Sequence, residues 1–315
     1  MYRSIMVPLD GSELAEWALP AAVQIARRDS AEIELLSVTQ LAPAGIGVIS
    51  DRGDGFETWR TTAGASLDYL TATAARISES SSVAVKPIAQ FGLDDPAAQL
   101  VEHTHEKDTD LIIMATHGYG RFKRFCAGSV SDAVVRKSRI ATLLIRPGEG
   151  KPDLEHGPEF RQILIPLDTS PEAETVIDHA IALGGVDADY TLITVLALLP
   201  APAEELAMLP TFEDEQTRRA REDATQASLD AVAERLWVRN QRYRVSSVIR
   251  TSNSAARTIA DYAATHAVDL ITMTTHGRGG ALRVMLGSVA DAVARETTVP
   301  VLLFRPAGMN NGPTG

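Results

Sequence analysis

A single cysteine, Cys126, stands in 315 residues, so no disulfide can close within the chain. Long apolar runs are missing as well: "TLITVLALLP", Thr191 to Pro200, falls far short of the roughly 18 residues that span a bilayer. The first residues carry no charged, apolar, small-residue leader, and a cytoplasmic location is expected. Positive charge is scarce. The 30 Lys and Arg against 41 Asp and Glu leave a formal net charge of -11, which argues against nucleic-acid and membrane partners while still allowing a small phosphorylated ligand in a local pocket.

Several chemical signatures are absent too. There is no Walker A loop, GxxxxGK(S/T), and no lysine immediately before Ser129 or Ser288. His117 and His276 recur without a second ligand at zinc-site spacing, and His103 and His105 are i, i+2, which splits them across helix faces. No Ser-His-Asp or paired-carboxylate arrangement repeats. The sequence therefore assigns no catalytic residue and no metal ligand. Arg124 and Arg283 read as solvated loop residues rather than phosphate ligands, and Cys126, aligned with Met285, reads as a moderately apolar packing residue.

What the chain does contain is a duplication. "SIMVPLDGS" (Ser4 to Ser12) recurs as "QILIPLDTS" (Gln162 to Ser170), and "TDLIIMATHG" (Thr109 to Gly118) recurs as "VDLITMTTHG" (Val268 to Gly277). "ATLLIRP" (Ala141 to Pro147) returns as "PVLLFRP" (Pro300 to Pro306). A near-constant offset over a whole domain length means two homologous domains, and the period is too long for a solenoid. The boundaries read as residues 1–147 for the first domain, 148–160 for a Gly-, Pro- and charge-rich linker, 161–307 for the second domain, and 308–315 for a tail.

In each copy short branched-apolar runs alternate with helical patterns. For the first copy these are "SIMVPL", "EIELLSV", "VAVKPIA", "DLIIMAT" and "ATLLIR". Continuous apolar strands alternating with helices predict a doubly wound α/β domain with a parallel sheet. Ser170 with Pro171 predicts a capped helix start, and Ser12 is expected to cap the equivalent helix in the first copy. Pro20 predicts a kink or early break in that helix. A long polar helix is expected over Phe212 to Leu236, and its counterpart follows a Gly-rich, mobile segment from Gly45 to Gly55.

In such sheets ligands bind outside the carboxyl ends of the strands, where the strand order reverses. Two loops meet there. One follows the first strand and presents Asp10 or Asp168. The other follows the fourth strand and carries Gly118, Gly128 and Ser129 in the first copy and Gly277, Gly287 and Ser288 in the second, with nine residues between the glycines each time. A helix follows, whose exposed N–H groups and positive dipole end suit a phosphate. A second reading of the same residues is a plain helix cap: Ser129 with Asp132, and Ser288 with Asp291, match the capping box. The coincidence of loop, sheet end and aspartate in both copies favours the phosphate cradle. The stretches from Thr116 and Thr275 agree at eleven of nineteen positions.

"VPLDGS", "DLIIMATHG", the Gly-x9-Gly-Ser spacing and "LLIRP" together resemble the universal stress protein family, in its tandem two-domain form, over nearly the whole chain. The resemblance implies a Rossmann-like sheet of five parallel strands in order 3-2-1-4-5 per domain, with final strands that pair between domains. It also implies ATP binding with a regulatory, stress-response output, a divalent Mg2+ on the phosphates, a homodimer and a regulatory protein partner. Carried over, Gly118, Gly128, Ser129 and Ser131 would hold phosphates and ribose in the first copy, and Gly277, Gly287 and Ser288 in the second. Asp10 and Asp168 would accept a hydrogen bond from the adenine edge, and Val38 and Val195 would offer backbone groups to the base. Two departures stand out. The family's first glycine is Ala115 in one copy and Thr274 in the other, and Ala290 replaces Ser131 in the second, so the first site is expected to be the better one. A nucleotide-independent interaction module of the same fold and a slow ATPase are the alternatives.

Overall fold

A computed structural model describes residues 1–40, 54–116, 130–197, 215–275 and 287–306. In the first copy, β1 (Ser4–Pro8), β2 (Glu32–Gln40), β3 (Val85–Gly92), β4 (Leu111–Ala115) and β5 (Ala141–Ile145) lie in the order β3-β2-β1-β4-β5, each pair parallel. The second copy repeats this with β6 (Gln162–Pro166), β7 (Asp189–Leu196), β8 (Arg244–Thr251), β9 (Leu270–Thr274) and β10 (Val301–Phe304), ordered β8-β7-β6-β9-β10. The predicted strand order is therefore observed in both copies. Met1–Glu159 forms one compact unit and Phe160–Val301 a second, with β10 from Leu302 counted in the first.

The sheets form because their central strands are apolar on both faces. Ile5, Met6, Val7, Leu111, Ile112 and Ile113 are fully buried, as are Leu164, Ile165, Leu270 and Ile271 in the second copy. Such runs lose nothing by being covered from both sides, which is what crossover helices do. An aspartate fixes the entry to each central strand. Asp110 Oδ2 accepts from the N–H groups of Arg3 (2.7 Å) and Ser4 (3.1 Å), and Asp269 Oδ2 accepts from those of Arg161 (2.7 Å) and Gln162 (3.0 Å). Burial raises the Asp269 carboxyl above its ordinary value, ahead of the opposing effect of these bonds.

The helices of the first copy are α1 (Leu19–Asp29), α2 (Asp54–Ser80), α3 (Pro96–Glu106) and α4 (Val130–Lys137); those of the second are α5 (Pro171–Glu174), α6 (Ile177–Gly184), α7 (Glu215–Arg239), α8 (Ala255–Thr265) and α9 (Ser288–Glu296). The break expected at Pro20 takes a specific form. A 3-10 turn, Ala15–Ala18, precedes α1, and Pro20 sits in the first turn of α1, where its missing N–H costs no bond. Ser12 therefore does not cap α1: its Oγ accepts from Ala15 N, the first residue of the turn, at 3.2 Å, while the turn's N-cap position is Leu14. Ser170 is the N-cap of α5 as expected, accepting from Ala173 N at 3.2 Å, with Pro171 following. The glycine-rich stretch before α2, through residue 53, lies outside the described residues.

The segment read as a linker packs on the first unit. A Cβ on Gly148 would stand 3.0 Å from the Trp17 ring, and Arg27 Nη1 donates to the Glu155 carbonyl at 3.2 Å. His103, set aside as a metal ligand, is buried in α3. Its Nε2 lies 3.0 Å from Glu34 Oε2 on β2, and its Nδ1 lies 2.9 Å from Gln90 Nε2 on β3. Both ring nitrogens are thus occupied by core partners. Among the described residues no helix is long and apolar enough to cross a membrane.

Candidate functional site

Asp10 and Asp168 occupy the same place in their copies, two residues beyond the ends of β1 and β6. Each begins a tight turn closed by the serine two residues on. Asp10 Oδ1 accepts from Ser12 N (2.9 Å) and Ser12 Oγ (2.6 Å). Asp168 Oδ1 accepts from Ser170 N (3.0 Å) and Ser170 Oγ (2.5 Å). Ser12 and Ser170 thus fix each carboxylate through Oδ1. Asp10 is exposed and Asp168 half-buried.

The residue inside the turn is left-handed in both copies: Gly11 at φ 82° and Thr169 at φ 64°. Glycine takes that conformation freely; a β-branched threonine is rare there and must be held in place by its surroundings. The fixed aspartate turn is therefore built twice, once with a permissive residue and once against the intrinsic preference of the chain.

Beside each turn the neighbouring strand runs on. β1 ends with Pro8 opposite Leu36, whereas β2 continues to Gln40 against β3 alone. Leu9 N still donates to Leu36 O at 2.9 Å. A strand residue sends its N–H and C=O to one side, and that side alternates along the chain, so Val38 presents both groups on the same edge as Leu36, past the end of β1. The second copy is built alike: Pro166 faces Ile193, Leu167 N donates to Ile193 O at 2.8 Å, and Val195 is the next residue on that edge. Thr194 there gives its hydroxyl to Leu167 O at 2.7 Å. Val38 and Val195 are half-buried.

The glycine loops are described only at their ends. Gly118, Gly128, Ser129 and Gly277 lie outside the described residues, as do His117, Arg124, Cys126, His276, Arg283 and Met285. In the first copy Ser131 is buried in the first turn of α4, beside buried Asp132, whose Oδ2 accepts from Arg136 Nε at 2.9 Å. In the second copy the base of the loop is closed directly: Gly287 N donates to Thr275 O at 2.6 Å. This bond pins the start of α9 to the end of β9, the strand next to β6. Gly287 is the N-cap of α9 and no side chain caps it; Ser288 is the first helical residue and is exposed. The capping-box reading of Ser288 with Asp291 is thereby corrected, because the box needs the serine one position earlier. Asp291 instead pairs with Arg295 within the helix. Thr274 is the last residue of β9 and buried, and Ala290 is buried in α9.

Sequence reasoning took Ser12 and Ser170 only as caps. The structure shows that each also holds the site aspartate, which the spacing D-x-S in both copies signals. It also missed Glu16 and Glu174, four residues after these serines. Glu16 accepts from Tyr69 Oη (3.0 Å) and Arg76 Nη2 (2.7 Å) of α2, and Glu174 pairs with Arg235 of α7. Burial first, and the Glu16 carboxylate next, push the Tyr69 phenol well above its ordinary value. Among the described residues no group of three His, Cys, Asp or Glu side chains is placed to hold a metal ion.

The sequence model described as the universal stress protein family matches residues 1–146 and again 159–305. A universal stress protein of Mycobacterium tuberculosis is 28% identical over 214 residues, 67% of this chain and 66% of that protein. One of Mycolicibacterium smegmatis is 27% identical over 206 residues, covering 64% and 63% respectively. The match thus spans slightly under two thirds of these relatives' lengths. A crystal structure of a universal stress protein from Archaeoglobus fulgidus superposes with a TM-score of 0.68 over 98% of this chain and 97% of that one, at 21% identity. A universal stress protein structure from Pseudomonas aeruginosa gives 0.64 over 98% and 95%, at 15% identity. These two likenesses bear on the fold.

Proposed function

The chain belongs to the universal stress protein family, and from that premise we propose that it binds ATP at the carboxyl end of the sheet in one or both copies, with bound nucleotide regulating a stress-response partner or self-association as a homodimer. The observation that carries this reading is the repeated pairing of a pinned aspartate with an open strand edge. Asp10 stands beside the stretch of β2 that runs past the end of β1 and contains Val38, and Asp168 beside the stretch of β7 that runs past β6 and contains Val195. A carboxylate acceptor next to backbone N–H and C=O groups suits the donor-and-acceptor edge of a purine base. In the second copy the start of α9, which no side chain caps and which is tied to β9, adds the positive end of a helix dipole, a fit for phosphate.

ATP supplies the phosphate charge that such a helix start favours. Gly118, Gly128, Ser129 and Ser131 are the residues proposed to hold it in the first copy, and Gly277, Gly287 and Ser288 in the second. A Mg2+ ion would ride on the phosphates, with no carboxylate cage from the described residues. No general base is assigned, so any hydrolysis is slow: positioning without a base or an activating cation gives little transition-state stabilisation.

The test replaces Gly118 and Gly277 by leucine. The reading expects ATP to raise the melting temperature of the wild-type chain and to lose that effect in the double variant, whose unliganded melting is retained. An interaction module of the same fold gives no ATP response in either protein. Sustained multiple turnover of ATP points instead to an enzyme.

A further inference from the structure

The same hydrogen-bond chain leads away from the proposed site in both copies. In the first, Asp10 Oδ1 accepts from Ser12 Oγ, Ser12 Oγ accepts from Ala15 N, and the next residue, Glu16, receives Arg76 from the long helix α2. In the second, Asp168 Oδ1 accepts from Ser170 Oγ, Ser170 Oγ accepts from Ala173 N, and Glu174 receives Arg235 from α7. The sequence behind it is D-x-S-x-x-A-E, "DGSELAE" from Asp10 and "DTSPEAE" from Asp168. The burial register of the long helices aligns Leu70, Thr73 and Ile77 with Leu229, Val232 and Leu236, which places Arg76 opposite Arg235.

An exposed ion pair taken alone says little. Here the glutamates are the covered partners: the Glu16 side chain is 16% exposed and that of Glu174 31%, against 50% and 58% for their arginines. Glu16 also takes the Tyr69 hydroxyl. The long helices also pack on β2 and β7, the two strands that run past β1 and β6 beside the site. A helix that moved would therefore disturb both sides of the site at once.

We propose that Arg76 and Arg235 are positioning residues: through Glu16 and Glu174 they fix the turns that aim the Asp10 and Asp168 carboxylates. The effect on affinity rests on the ATP reading above; the effect on the turn does not. In the full-length chain without ligand, Arg76→Ala speeds amide hydrogen exchange at Ser12 and Ala15, while the urea midpoint of the first unit is unchanged. ATP affinity of the first site, measured by calorimetry in an Asp168→Ala background, falls about two- to fivefold. The charge-swapped pair Glu16→Arg with Arg76→Glu restores both readouts. Unchanged exchange at Ser12 and Ala15 in Arg76→Ala overturns the proposal, as does a loss of protection spread over the whole unit. A wild-type chain that binds no ATP defeats the nucleotide reading, and the exchange result then still decides whether the arginine positions the turn.

Discussion

At the residue scale, the aspartate turn shows how one local geometry is reached by two different side chains. Gly11 and Thr169 hold equivalent left-handed positions, and a Cβ on Gly11 would meet nothing within 4 Å. The cost of a substitution there is consequently backbone strain alone. Gly11→Ala is expected to lower the stability of the first unit by about 1–2 kcal/mol in urea unfolding. An unchanged midpoint contradicts the conformational assignment. The turn was half legible in the sequence. D-G-S announces a bend, and the repeat of aspartate and serine at one spacing marks them as partners. D-T-S announces no left-handed residue, because a β-branched threonine disfavours the positive φ that Thr169 adopts. The roles of Ser12 and Ser288 illustrate the same limit. A serine before a helix reads as a cap by its type, but whether its oxygen meets an N–H depends on where the helix starts, a matter of one residue.

At the element scale, strands were the most legible feature. Each predicted apolar run of the first copy is a strand: β1, β4 and β5 are buried at nearly every position, which leaves a continuous apolar run, whereas β3 at the edge has no buried residue and was legible from its branched residues and flanking turns. Helix starts were less so: the segment after β1 is a 3-10 turn followed by α1, and the one after β6 is split into α5 and α6. The Arg76 and Arg235 contacts were illegible for another reason. They join elements about sixty residues apart, and only the internal duplication, by placing Glu and Arg at matching offsets, held a signal for them. The α6 helix carries its own pH response. Burial lowers the His179 imidazole below its ordinary 6.5, ahead of the opposing pull of Asp178. The folded state then binds fewer protons than the unfolded state, so the contribution is present in full above about pH 6.5 and is lost as pH falls through the lowered value. Acid titration of the chain is expected to destabilise the second unit in this range, and His179→Gln to flatten the response. An identical acid profile for the variant contradicts this.

At the scale of the whole molecule, duplication gives two candidate sites that are alike in frame and different in detail. Both have the pinned aspartate, the overrunning second strand and the charged link to a long helix. They differ at Gly11 and Thr169, at Ala115 and Thr274, and at Ser131 and Ala290. Thr274, buried and β-branched at the end of β9, stands where the first copy has the smaller Ala115. The first site is therefore expected to bind more tightly than the second, so that Asp10→Ala removes most of the ATP response and Asp168→Ala the smaller part. The most direct test of the central claim is the effect of ATP on the melting temperature of the purified full-length chain, with the supernatant of the denatured protein analysed for adenine nucleotide. The account predicts a rise in melting temperature, or nucleotide already bound and released on denaturation. No released nucleotide together with no shift at saturating ATP contradicts it.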